Sequence, residues 1–175
     1  MPRSLVLAPL AALALFAASA SASAEMRAVE VGDLTIERAM SRPSLPQRPI
    51  AIYLTISNAG AANDALLSAA SPLFEAIELH ESRMQDGVMR MAQVETIPVP
   101  AGDMVMLKPG GLHLMAFGAP DPLEKGDVYP VDLVFRTAGK ATVMVHVGAV
   151  AADGHHHSGH DHSGHGGHQS SGASN

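Results

Sequence analysis

Four side chains define the chemistry open to this sequence: His80, Met91, His113 and Met115. His113 and Met115 lie two residues apart within Gly110-Gly111-Leu112-His113-Leu114-Met115. In an extended segment, residues i and i+2 share a face. The imidazole and the thioether then point the same way, while Leu112 and Leu114 point into a core. The two preceding glycines suit a tight turn that delivers the strand. A second His/Met pair, His80 and Met91, flanks Asp86-Gly87, the strongest hairpin signal in the chain. With a two-residue loop, Gln85 pairs with Val88, Met84 with Met89, Ser82 with Met91 and His80 with Gln93. His80, Ser82, Met84, Met89 and Met91 then fall on one face, with His80 and Met91 as diagonal neighbours. A three-residue loop would reverse that parity.

Two imidazoles and two thioethers make a soft, neutral ligand set. Thioethers select Cu(I) over hard cations, and imidazole also suits copper. With no carboxylate or thiolate among the four, the set favours Cu(I) over Zn(II), Ca(II) or Mg(II). It offers little negative charge to stabilise Cu(II), which suits carrying copper rather than cycling electrons. Met84 and Met89 share the ligand face and could shield the site or act as transient ligands. Met104 and Met106 also share a face and are expected to pack in the core. His146, two residues after Met144, forms a reversed His-x-Met pair and is left outside the ligand set.

The elements that must position these residues are short strands. Expected strands are 26–31 and 34–38 around Gly32-Asp33, 50–58, 64–70, 76–82, 88–93, 103–107, 112–117, 128–136 and 140–147. Residues 40–49 carry three prolines and are expected to form an irregular loop, and no convincing helix is present. Many short strands separated by turn residues predict an all-β sandwich or barrel.

Composition narrows the function classes. The chain has 175 residues, 47% hydrophobic and 16% charged, with a formal net charge of −6. That suits one domain with tails, and without a basic cluster it argues against nucleic acid or an anionic membrane surface as partner. The absence of cysteine excludes disulfides, thiolate nucleophiles, zinc fingers and blue-copper centres. Ten methionines and ten histidines stand against that absence.

Residues 1–24 fit an export signal: Arg3, an apolar run from Leu5 to Ala18, and Ala22-Ser23-Ala24 as the cleavage motif before Glu25. The apolar run is short for a permanent span. A stable membrane anchor is therefore not expected, and since no cysteine follows the run, neither is a lipid anchor. In a Gram-negative host the mature protein would be periplasmic. Residues 25–152 form the expected copper-binding domain. Residues 153–175 hold seven histidines, His155, His156, His157, His160, His162, His165 and His168, among Gly, Ser and Asp. This tail is too polar to fold and is expected to be disordered. Its imidazoles would bind Cu(II), Zn(II) or Ni(II) with little geometric choice. A 23-residue coil reaches roughly 25 Å, so the tail could gather Cu(II) close to the soft site.

The order His80, ten residues, Met91, twenty-one residues, His113, one residue, Met115 resembles the motif of the PCu(A)C-type periplasmic copper chaperones. The resemblance spans the folded region and includes Ala51-Ile52-Tyr53-Leu54-Thr55-Ile56-Ser57-Asn58, Asp86-Gly87 and Gly110 to Met115. It implies a cupredoxin-like barrel that binds Cu(I) through these four side chains. It further implies copper delivery to a protein of cytochrome c oxidase assembly, notably the CuA centre. An enzyme is not expected: no Ser/His/Asp arrangement is identifiable, and four ligands leave no open position for substrate. A periplasmic metal buffer for storage or detoxification is the alternative. A monomer is expected.

Overall fold

The computed structural model describes residues 27–150, so the expected export signal, its cleavage point and the histidine-rich tail lie outside the described residues. Period-two alternation of apolar and polar residues organises what it does describe. The clearest case is β3 (Ile50–Asn58), where Ile50, Ile52, Leu54 and Ile56 are buried on one face. Each buried aliphatic side chain of this kind contributes about 1.5–3 kcal/mol of transfer free energy. With no tryptophan in the chain, the core is built from such residues, with Phe74, Tyr129 and Phe135 added.

Eleven strands form the described structure. Besides β3 they are β1 (Val29–Val31), β2 (Leu34–Ser41), β4 (Asp64–Ala70), β5 (Ala76–Gln85), β6 (Val88–Gln93), β7 (Ile97–Val99), β8 (Met104–Leu107), β9 (Leu112–Phe117), β10 (Val128–Phe135) and β11 (Lys140–Val147). Seven of them close a barrel in the order β2-β11-β10-β4-β5-β9-β3, with β3 returning to β2. The β2–β11 pair is parallel and the other pairs are antiparallel. The expected all-β barrel is therefore the observed fold, with no helix among the described residues.

Three expectations need correction. The segment from Met40 is not loop from its start, because β2 runs on to Ser41. A bulge at Arg38, with φ of +55°, sets two β2 residues against one on β3 and restores the alternation, so Ala39 and Ser41 face inward. Arginine rarely adopts this conformation, so nothing in its type announces the bulge. Met104 and Met106 do not pack in the core. On β8, Val105 and Leu107 take the inward positions, leaving the methionines 53% and 46% exposed. Finally, β7 was not foreseen. It is three residues long, contains Pro98 and pairs only with β4, an edge position that tolerates proline.

The turn at Lys108-Pro109-Gly110-Gly111 does not join a hairpin ladder. Both flanking strands pair with β3: β9 with its first half and β8 with its second. Gly110, at φ of +78°, allows the reversal, and the Gly111 N–H donates to the Lys108 carbonyl at 3.1 Å. This turn releases β9 to pair with β5 on its other side, which places His113 beside His80.

Candidate metal centre

The β5–β6 hairpin turns through Asp86 and Gly87 with φ of +52° and +76°, values that suit a type I′ loop. The register follows: Gln85 opposite Val88, Met84 opposite Met89, Ser82 opposite Met91 and His80 opposite Gln93. On the other side of β5, His80 lies opposite His113 and Glu78 opposite Met115. Alternation does the rest. Glu78, His80, Ser82, Met91, His113 and Met115 share one face across three adjacent strands, with Leu79 and Leu114 buried behind them. The structure thus brings the four expected ligand positions to one patch of sheet.

The two imidazoles sit with ring centroids 5.8 Å apart and planes inclined at 51°. Each is held by one nitrogen. His113 Nδ1 donates to the Gly111 carbonyl at 3.0 Å, and His80 Nε2 donates to a Glu78 carboxylate oxygen at 2.8 Å. Each keeps the other nitrogen buried without a hydrogen-bond partner: Nε2 of His113 and Nδ1 of His80. A buried lone pair with no partner is costly. A metal ion would satisfy both, while the carbonyl and carboxylate fix tautomer and ring orientation, as outer partners of metal-bound histidines do. The residues present therefore fit a metal.

Glu78 is not among the expected ligands, although strand parity puts it on the face of His80, two residues away. It changes the electrostatics: the four expected ligands are neutral, but a carboxylate stands directly behind His80. Phe117 and Tyr53 flank the histidines, with centroids 6.3 Å from His80 and 6.4 Å from His113. Burial pushes the Tyr53 hydroxyl pKa up, against the opposing charge of Arg42, so it stays protonated at neutral pH. Exposure is graded across the patch. His113 is 3% exposed and Met115 half-buried, whereas Met91 is 53% exposed on β6, an edge strand paired only with β5.

Among the described residues, no three His, Cys, Asp or Glu side chains gather to hold a metal, and the further soft donors on this face are methionine sulfurs. Met84 and Met89 do share the ligand face, further out along the hairpin. His146 does not join the four; it stands on β11 beside Met40, which in turn lies beside Tyr53. The tail histidines 155–168 lie outside the described residues.

Comparison with known proteins agrees with this architecture. The model of the family described as "LpqE-like: Putative lipoprotein LpqE-like" matches residues 16–147. "Putative lipoprotein Lxx21020" of Leifsonia xyli subsp. xyli is 31% identical over 98 residues, 55% of this chain. The chain spans 59% of the length of that curated relative. Among solved structures, the apo PCuAC domain from PmoF1 superposes with a TM-score of 0.61 at 22% identity, covering 71% of this chain and 100% of that one. The copper-bound PCuAC domain from PmoF2 gives 0.61 at 24% identity, with the same coverage. The chain belongs to the LpqE-like family, and its barrel has the fold of the PCuAC domains.

Proposed function

We propose that this protein is a copper chaperone that holds Cu(I) through His80, Met91, His113 and Met115. The observation that carries the reading is the pair of pinned imidazoles, each with one buried, unpartnered nitrogen, on a face that also presents two thioethers. Such a set prefers Cu(I) to hard or divalent ions. The copper-bound state of a PCuAC domain supports the choice of metal. No catalytic step is assigned to the chain.

The graded exposure suits transfer by ligand exchange. His113 and Met115 anchor the ion from the inner side, and Met91 is the ligand a partner can replace first. The recipient in this proposal is a copper-accepting protein of cytochrome c oxidase assembly, with the CuA centre as destination. The histidine-rich tail collects Cu(II), which must gain one electron from an external reductant before the soft site can hold it. Export to the periplasm fits the envelope association suggested by the relatives' lipoprotein names.

Anaerobic Cu(I) titration of the full chain and of a chain ending at residue 152 tests binding. One tight equivalent is expected in both, and it is lost in His113→Ala/Met115→Ala. Retention of that equivalent in the double variant would overturn the ligand assignment. Mixing the loaded chain with an apo CuA domain, then separating the two, tests delivery. Copper that stays with its donor would instead favour a storage role.

A further inference from the structure

The face that carries His80 and Met91 does not end there. Further along the same hairpin, Met84 and Met89 lie directly opposite one another, and Met91 follows Met89 on the same face. These three methionines are 65%, 53% and 53% exposed. In a two-residue hairpin the pair flanking the loop, here Gln85 and Val88, exchanges backbone hydrogen bonds. The next pair outward is then non-hydrogen-bonded, with Cα atoms about 4.5 Å apart and side chains at their closest. Met84 and Met89 occupy that pair, and Ser82 and Met91 occupy the next one of the same kind. Met84 and Met91 are diagonal neighbours, within reach of long side chains.

Packing does not account for these thioethers. Every residue of β6 is exposed, and β6 pairs only with β5. Methionine gains little from an exposed edge strand, where β-branched or charged residues serve better.

We propose that Met84, Met89 and Met91 form a second, all-thioether site for Cu(I) or another soft monovalent cation, sharing Met91 with the His/Met site. The reverse face of the hairpin presents Arg83 opposite Arg90, with Glu81 paired to Arg83. With no anionic ligand, and with Arg90 behind it after Glu81 neutralises Arg83, this cluster disfavours divalent ions and suits a monovalent one. An ion held at the tip moves inward by exchanging Met84 and Met89 for His80, His113 and Met115, keeping Met91 throughout. Only this exchange step rests on the function proposed above; binding at the tip does not.

The test is a titration of the full-length chain, carrying 13C-methyl methionine, with Ag(I) as a redox-inert stand-in for Cu(I). At pH about 5 the tail imidazoles are largely protonated, while thioethers do not titrate. Two equivalents are expected, with the two lone pairs of the Met91 sulfur bridging both ions. The methyl signals of Met84, Met89 and Met91 shift together in one of them, and Met84→Leu/Met89→Leu loses that equivalent alone. Both substitutions are at exposed positions, so the fold is retained. Unmoved Met84 and Met89 signals, with Met91 and Met115 shifting, would overturn the tip site and leave the His/Met site standing. Shifts at Met84, Met89 and Met91 with none at Met115, at pH about 5 and again at pH 7, would sustain the tip site and refute the His/Met assignment.

Discussion

Replacing Glu78 with alanine should weaken copper binding although Glu78 is not one of the four proposed ligands. Its carboxylate accepts a hydrogen bond from His80 Nε2 at 2.8 Å, leaving Nδ1 as the free, electron-rich nitrogen. Removing a group of this kind costs about 10–100-fold in metal affinity, equivalent to about 1.4–2.8 kcal/mol. The Glu78 side chain is 37% exposed, so solvent screens part of its charge and the lower end, about tenfold, is expected. Glu78→Gln keeps an acceptor in place without the charge and should lose less. Competition against a chromophoric Cu(I) chelator under anaerobic conditions measures the change. Thermal unfolding of the apo forms checks that the barrel is intact, since Glu78 lies on the outer face. An affinity unchanged within about twofold would refute a role for Glu78 in orienting the ring. If glutamine and alanine were equally damaging, the charge rather than the hydrogen bond would be the operative feature.

Three further outcomes follow from other parts of the molecule. Asp64 is buried at the start of β4 and accepts hydrogen bonds from the N–H groups of Ala65, Thr137 and Ala138 at 2.7, 2.9 and 2.9 Å. Burial alone would raise its pKa, but these donors hold it below the ordinary carboxylate value. Its contribution is therefore complete above that value and is lost as pH falls through the depressed pKa. Asp64→Asn should destabilise at neutral pH by about 2 kcal/mol, and chemical denaturation from pH 7 downward should show the gap closing in acid. Tyr129 donates its hydroxyl to Ser41 Oγ at 2.9 Å and packs edge-on against Phe74, and burial pushes its pKa up to about 12. Tyr129→Phe should cost about 1 kcal/mol by urea denaturation without changing copper stoichiometry. Deleting residues 153–175 should abolish Cu(II) uptake at pH 7 and spare the tight Cu(I) equivalent, as equilibrium dialysis of each ion would show.

Strand parity made much of the candidate centre legible in advance. Asp86-Gly87 specifies a two-residue loop, the loop specifies the register, and the register puts His80, Met84, Met89 and Met91 on one face. Turn residues likewise mark β3, β4, β6, β9 and β11 at their observed limits, with period-two alternation clear in β3. What local pattern does not contain is pairing between distant strands. That β9 runs between β5 and β3, setting His113 opposite His80, depends on barrel closure. The Arg38 bulge escaped because its backbone conformation is held by neighbouring strands and not by the residue's own preference. The inward expectation for Met104 and Met106 failed because an apolar side chain signals burial only when the opposite face of its strand is more polar. Here Val105 and Leu107 compete for the same core and win. Glu78 was legible from parity alone, but it acts through His80 and so stands outside a search for ligands.

In the proposed site one copper ion is held by two imidazoles and two thioethers on the outer face of β5, β6 and β9. X-ray absorption at the copper edge, on the chain ending at residue 152 and loaded with one equivalent of Cu(I), addresses it most directly. A reduced copper with two nitrogen and two sulfur neighbours is expected, and a sulfur-only shell in His80→Ala/His113→Ala. A shell of nitrogen and oxygen without sulfur, or one unchanged in that variant, would contradict the proposed site.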